Sequence, residues 1–171
     1  NPTKDAFVQK IHIDLKKTTV YYNCLNGREV IEKSKEEMDD IFSNRYVNLL
    51  TVGRVSSEKG QDMIPKVVRS LNDEGYSVHW YIIGDGPNLN KVKEMIEKEN
   101  VSNEVILLGV KSNPYPYMKA CDIYIQPSYT EGYSTTICEA GILGKAIIGT
   151  APSGGIRDQI TDGNDGLIVD A

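Results

Sequence analysis

Two glutamates, Glu131 and Glu139, lie with seven residues between them in the stretch Pro127-Ser-Tyr-Thr-Glu-Gly-Tyr-Ser-Thr-Thr-Ile-Cys-Glu-Ala140. Glu131 falls on a loop that leaves an apolar strand, and Glu139 falls in the first turns of the helix that follows. Carboxylates at the mouth of a sheet can accept hydrogen bonds from hydroxyl groups. A helix N-terminus beside them offers N–H groups and a positive dipole end to an anion. The pattern suits a ligand that carries both sugar hydroxyls and phosphate. The alternative is a pair of solvated surface acids, and the cations placed near them decide between the two.

The elements that must hold these residues are legible from residue 47 onward. Short apolar runs occur at Val47–Val52, Val78–Ile83, Val105–Leu108, Ile123–Ile125, Ala146–Ile148 and Leu167–Val169. Each is continuous, as strands buried on both faces are. Amphipathic stripes lie between them: Met63, Ile64, Val67, Val68 and Leu71 form one, and Leu89, Val92, Met95 and Ile96 another. Pro65 is compatible with a helix that starts near Gly60 or Gln61, because the first N–H groups have no intrahelical partner. Asn113-Pro114 reads as a cap followed by proline at the first helical position. Strand alternating with helix, without hairpin signals, predicts an α/β fold: a doubly wound, Rossmann-like parallel sheet. Before residue 47 the pattern is weaker. Ile11–Leu15 and Thr18–Tyr22 alternate like edge strands, residues 1–20 are expected to be a linker or edge segment, and Arg28–Phe42 is expected to be helical.

In an open parallel sheet, ligands bind beyond the carboxyl ends of the strands. The apolar runs are followed in turn by Gly53-Arg54 with Ser56-Ser-Glu-Lys-Gly60, by Gly84-Asp-Gly-Pro87, by Gly109-Val110, by Gln126-Pro-Ser128 leading to Glu131-Gly132, and by Gly149-Thr150 with Ser153-Gly-Gly155. Five such ends in succession, with Arg and Lys at only one, point to a crevice rather than to ordinary loop composition. Three phosphate or nucleophile signatures fail. Gly84-Asp-Gly-Pro-Asn-Leu89 has Leu where a dinucleotide fingerprint needs its third glycine. Lys59 precedes Gly60 rather than following a glycine as in a P-loop, and the strained Gly-x-Ser-x-Gly turn is absent.

The chain has 171 residues, 40% hydrophobic and 25% charged, enough for one domain with a full core. Its net charge is −5 and no basic run exceeds two residues, which argues against nucleic acid as a partner. Cys24, Cys121 and Cys138 are odd in number and form no Cys-x-x-Cys, so reduced thiols are expected and a zinc site is not. Asp162-Gly-Asn-Asp165 is too short for a calcium loop and reads as a turn. His12 and His79 sit in strand-like patterns and read as structural.

The ordered set Gly53-Arg54…Glu58-Lys-Gly60, Ile83-Gly-Asp-Gly-Pro87 and Glu131-Gly-Tyr-Ser…Glu139-Ala140 resembles the retaining family 4 glycosyltransferases of the GT-B fold. The match covers about residues 20–171 and corresponds to the C-terminal, nucleotide-sugar-binding half of a two-domain enzyme. The resemblance implies a single donor-binding domain over residues 1–171, with the N-terminal acceptor domain and the closing C-terminal helices absent. Such a fragment is expected to bind donor weakly and to catalyse poorly or not at all.

The resemblance also implies site roles. Arg54 and Lys59 would neutralise a nucleoside diphosphate without a metal or other cofactor, the donor being UDP- or GDP-linked. Thr136 and Ile137, after Thr135, would offer amides to phosphate. Glu139 would hold the ribose. Glu131 and the amides of Gly132, Tyr133 and Ser134 would face the donor sugar. The base would lie near Gly84–Pro87, with Gly84 and Gly86, and near Gly109-Val110, and Gly53 would also belong to the donor site. Tyr133 and Ser134 stand where the family often has Phe and Gly, so the loop must suit a residue with a Cβ. The implied reaction is transfer of a hexosyl unit to a glycan or lipid-linked acceptor. The implied setting is cytoplasmic, at the inner face of the plasma membrane, with peripheral membrane contact in the whole protein and a role in making cell-envelope polysaccharide. Two other readings stay open: a related GT-B synthase or epimerase, and a non-catalytic nucleotide-binding module.

Overall fold

The computed structural model describes residues 2–12, 14–150 and 155–170. Six parallel strands form one sheet: β1 (Val47–Val52), β2 (Val78–Ile83), β3 (Val105–Gly109), β4 (Ile123–Gln126), β5 (Ala146–Thr150) and β6 (Leu167–Val169). Every expected apolar run is a strand. The order across the sheet is β3-β2-β1-β4-β5-β6. The chain therefore winds outward one way from β1, then returns and winds out the other way from β4. The β1/β4 boundary is the switch point of this sheet.

Alternation along the strands divides the core in two. Leu49, Trp80 and Ile82 pack on one face with Ile64, Val68, Val92 and Ile96, from α3 (Ile64–Asp73) and α4 (Leu89–Glu99). Leu50, Val52, Tyr81, Ile83 and Tyr124 pack on the other with Tyr117, Met118, Ile137 and Ala140. Those last four come from α5 (Tyr115–Ala120) and α6 (Thr135–Ile142). Both faces are apolar because both are covered, which is why the strands read as continuous runs. Pro65 sits in the first turn of α3, after two 3₁₀ turns and Gly60 at φ +68°. The Asn113 side chain accepts from the Tyr115 amide at 3.1 Å, so it caps α5 one residue later than the Asn-Pro pattern places the start.

The N-terminal expectations are corrected. Pro2–Ile11 forms helix α1, Leu15–Lys17 is a 3₁₀ turn, and Thr18–Tyr22 has no regular structure. Residue 13, inside the expected first strand, lies outside the described residues. A strand needs a neighbour for its N–H and C=O groups, whereas a helix satisfies its own. No sheet edge receives this segment, and Tyr21 is left 90% exposed. The helix expected over Arg28–Phe42 ends early: α2 spans Gly27–Lys33. Beyond it Met38, Ile41 and Phe42 turn inward, with the Phe42 ring edge-on to Tyr81 at 4.6 Å and the Tyr81 hydroxyl donating to the Ile41 carbonyl at 2.8 Å. Tertiary burial overrides helical propensity there.

The Asp162–Asp165 segment is a turn. The Asp165 carboxylate accepts the Thr161 amide at 2.6 Å and that of Asp162 accepts the Ile168 amide at 2.8 Å, so both acids cap backbone. His79 stacks on Tyr46 with ring centroids 3.7 Å apart, and its burial lowers its pKa. Cys24, Cys121 and Cys138 are all free.

Candidate functional site

The loops after β1 and β2 are laced together by backbone. The Gly53 amide donates to the Ile83 carbonyl at 2.9 Å, the Gly84 amide to Gly109 at 2.8 Å, and the Val55 amide to Asp85 at 2.9 Å. A Cβ on Gly84 would stand 1.9 Å from the Gly53 carbonyl oxygen, and one on Gly86 2.2 Å from that of Val55. These glycines let two loops touch. They shape the site through packing, and the amides of Gly53 and Gly84 are already taken up. Between the loops lies a crevice of about 280 Å³ lined by Gly53, Arg54, Gly84, Asp85, Val110, Lys111 and Pro114. Four residues singled out from sequence, Gly53, Arg54, Gly84 and Val110, are thus brought together.

Arg54 is exposed at this crevice, and among the described residues its guanidinium makes no salt bridge. Its carbonyl accepts from the Gln61 side chain at 3.0 Å, so the loop that presents the cation is anchored from behind by a residue 1% exposed. Lys59 is arranged differently from the expectation. Its ammonium pairs with the Glu131 carboxylate at 2.5 Å, both side chains being largely shielded from water. The two groups assigned to separate parts of a ligand are each other's partner here. An unpaired charge in that setting is costly, so each neutralises the other. The Thr130 amide donates to the Glu58 carbonyl at 3.1 Å and reinforces the contact between the two loops.

The loop from Glu131 to α6 is held by side chains that the sequence did not single out. Ser134 caps α6 with φ −88°, an extended conformation that tolerates a Cβ, as its replacement of glycine requires. Its amide donates to the Gln159 Oε1 at 2.7 Å, and its carbonyl accepts from the Gln159 Nε2 at 2.7 Å. The Ser134 amide, expected to face a sugar, is taken up here by Gln159. Likewise the Ile137 amide points at the Ser134 hydroxyl at 3.4 Å rather than standing open to phosphate. Thr135 and Thr136 lead the helix, and the Thr136 hydroxyl donates to Gln126 at 3.0 Å. Gly132 is exposed at the loop tip, with its carbonyl 2.0 Å from where a Gly155 Cβ would be. The Tyr133 ring lies 5.0 Å from that of Tyr22, and its hydroxyl accepts from the Cys138 thiol at 3.3 Å. Ser153 and Gly154, expected at the same crevice, lie outside the described residues.

Glu139 is half-buried on α6 and accepts the Tyr115 hydroxyl at 3.0 Å. Burial raises its pKa above the usual carboxylate value, the Tyr115 hydrogen bond opposing this, and the Tyr115 hydroxyl is pushed up to about 12 by burial and then by Glu139. A carboxyl whose folded pKa is raised favours the protonated state on folding. Its contribution is fully present below the unfolded pKa and is lost as pH rises through the folded one. At neutral pH the Glu139 charge therefore opposes folding. Glu139→Gln is expected to raise the thermal midpoint near pH 7 and to lose that advantage near pH 4, where the glutamate itself is protonated. Melting curves at the two pH values check this, and an unchanged or lower midpoint at pH 7 counts against it.

Gln126 is named from sequence as the polar end of the apolar run Ile123-Tyr-Ile but is given no role there. Tyr115 and Gln159 meet their partners across 24 and 25 positions, with no local pattern to reveal them. Among the described residues, no group of three His, Cys, Asp or Glu is gathered to hold a metal ion, and no helix is long and apolar enough to cross a membrane.

The chain is similar to known glycosyltransferases in sequence and in fold. The chain is 26% identical over 166 residues to an N-acetylgalactosaminyltransferase of Campylobacter jejuni that acts on N-acetylgalactosamine-N,N'-diacetylbacillosaminyl-diphospho-undecaprenol, covering 97% of this chain and 44% of that one. It is 29% identical to the 2-deoxystreptamine N-acetyl-D-glucosaminyltransferase of Niallia circulans, covering 92% and 41%. Among solved structures, Anabaena HepE in complex with UDP and glucose superposes with a TM-score of 0.83 at 20% identity, covering 98% of this chain and 47% of that one. WaaG, a glycosyltransferase involved in lipopolysaccharide biosynthesis, gives 0.68 at 23% identity, covering 86% and 38%. The chain thus spans less than half the length of these relatives, and the shared architecture is the Rossmann-like α/β unit of GT-B glycosyltransferases. The family model for glycosyl transferases group 1 matches residues 33–171, and the chain belongs to that family.

Proposed function

We propose that the chain is the donor-binding half of a retaining family 4 glycosyltransferase. In this reading it moves a hexosyl unit from a UDP- or GDP-sugar to a glycan or lipid-linked acceptor held by a second, N-terminal domain. The observation that carries this reading is the crevice beyond the carboxyl ends of β1, β2 and β3, where the guanidinium of Arg54, in no salt bridge among the described residues, stands beside Gly53, Gly84 and Val110. A planar fork of donors suits a diphosphate, and the net charge of −5 means that a local cation must hold such an anion against the global field. The base lies toward Val110, the ribose against Glu139, and the sugar toward Glu131. UDP in the HepE structure and the undecaprenol-linked acceptor of the Campylobacter enzyme are in keeping with this reading.

In the reaction, the acceptor hydroxyl oxygen bonds to the anomeric carbon as the bond from that carbon to the β-phosphate oxygen breaks. The hydroxyl proton leaves with the departing diphosphate, and the nucleophile enters on the face from which the diphosphate leaves. Charge grows on the leaving group, so Arg54, Lys59 and the first turn of α6 stabilise the transition state more than the ground state. No metal is needed in this scheme. The protein acts at the cytoplasmic face of a membrane when its acceptor is lipid-linked.

The test is a titration of the whole protein with UDP, GDP and ADP in the presence of a chelator. Binding of one nucleoside diphosphate at micromolar to submillimolar concentration is expected. Failure of all three at about millimolar concentration, roughly −4 kcal/mol of binding, would overturn the donor-site reading.

A further inference from the structure

A run of buried hydrogen bonds leads from the interior of the sheet to Glu131. The Gln126 Oε1 accepts the Tyr124 hydroxyl at 2.8 Å and the Thr136 hydroxyl at 3.0 Å. The Ser134 hydroxyl lies at 3.5 Å from the same oxygen. With the amide oxygen on that side, the Gln126 Nε2 donates to the Ser128 hydroxyl at 2.8 Å. Ser128, already accepting, turns its own proton to the Glu131 Oε2 at 3.4 Å. The same Oε2 receives Lys59. Gln126 is 1% exposed and Ser128 fully buried. The Ser128 backbone is pinned as well, its carbonyl accepting the Thr150 hydroxyl at 2.6 Å.

An apolar pair would fill this space at little cost to stability, since replacing both partners of a buried hydrogen bond by apolar groups can be nearly neutral. What a polar relay adds is direction. It refers two separated groups, the first turn of α6 through Thr136 and the carboxylate of Glu131, to one amide at the rigid end of β4. We infer that Gln126 and Ser128 are positioning residues, which orient the Glu131 carboxylate toward the sugar of the donor. The inference rests on the donor-site reading above and deepens it. Neither residue touches the donor; both act through Glu131.

The relay therefore governs recognition of the sugar and leaves the nucleotide to Arg54 and Glu139. The experiment measures, on the whole protein, the affinity for UDP and UDP-glucose, with GDP and GDP-mannose as a second pair. Its readout is the ratio of free nucleotide to nucleotide-sugar dissociation constants. In Ser128→Ala the ratio is expected to fall about five- to tenfold, the scale of one hydrogen bond to a charged group, with the free-nucleotide constant moving less than about twofold. Gln126→Glu keeps the shape and both accepted hydroxyls and, in its ionised form, cannot donate to Ser128; at a pH high enough to ionise it, it is expected to lower the ratio likewise. Ser128→Thr, which restores a hydroxyl, recovers it. A merely structural role would weaken nucleotide and nucleotide-sugar together, and that result overturns the inference. So does an unchanged ratio in both Ser128→Ala and Gln126→Glu, or a wild-type protein that binds nucleotide and gains nothing from the sugar. Should the wild-type protein bind no nucleotide at all, the donor-site reading fails, and this inference falls with it.

Discussion

Arg54→Ala is expected to weaken binding of the nucleoside diphosphate ten- to a hundredfold while leaving the fold intact. A hydrogen bond to a charged group contributes about 1.5–3 kcal/mol, and each 1.4 kcal/mol is a factor of ten. The side chain is exposed and makes no salt bridge among the described residues, so its removal orphans nothing inside the protein. The loop is held by the Arg54 backbone, through the Gln61 side chain at 3.0 Å, and the substitution leaves that contact in place. A surface change of this kind shifts stability by about 0.5 kcal/mol or less. Arg54→Lys keeps the charge but loses the fork, so it should fall between wild type and alanine. Calorimetric titration with UDP or GDP, beside a melting curve, separates the two effects. An unchanged dissociation constant in a protein that binds nucleotide would remove Arg54 from the site.

Lys59 does not behave as a second Arg54. Its charge is matched by Glu131 at 2.5 Å, so a diphosphate approaching this end of the site meets a neutral pair rather than a free cation. To engage phosphate, Lys59 must exchange one anionic partner for another, and Glu131 must then find donors in the incoming sugar. Under the proposed function, the sugar hydroxyls and the diphosphate would compensate each other's disruption of one ion pair. That would couple recognition of the two parts of the ligand, which two independent contacts would not do. It would also leave the intrinsic grip on nucleotide to Arg54 and the selection of a sugar to the other end of the site.

Sequence patterns located the strands well because of how the sheet is buried. Val47–Val52, Val78–Ile83 and Leu167–Val169 are strands over the residues expected. Helices cover both faces of the central strands, so their apolar runs are uninterrupted and leave little room for another reading. The loops after the strands were equally legible as the place where Gly53, Arg54, Gly84 and Val110 gather. What could not be read was which groups already have partners. The Lys59–Glu131 pair spans 72 positions, and the Gln159 clamp on Ser134 spans 25. Each depends on two loops meeting, and no periodicity records that. The expected N-terminal strands failed for a related reason. Alternation in Ile11–Leu15 is a local property, whereas a strand exists only if an edge accepts it.

Gly60→Ala is expected to be among the most damaging single-methyl changes in the chain, costing about 2–5 kcal/mol of stability. Gly60 has φ +68°, a left-handed conformation in which a Cβ costs about 1–2 kcal/mol. The Cβ would also stand 1.9 Å from the Pro127 carbonyl oxygen and 3.0 Å from its carbon, backbone atoms that no rotamer change can move. Overpacking of this kind adds about 1–3 kcal/mol. Gly75 is the control. It has φ +87° and nothing within 4 Å of its added Cβ, so Gly75→Ala reports the conformational cost alone. Denaturant midpoints of the two variants should differ by the collision, with Gly60→Ala the lower; equal destabilisation would show that the loop yields freely. The damage should also reach function. If the Gly60 loop moves off Pro127, it carries Lys59 away from Glu131 and, through Gln61, shifts the carbonyl that anchors Arg54. Nucleotide affinity should therefore drop in Gly60→Ala even where the protein remains folded, and remain at the wild-type value in Gly75→Ala.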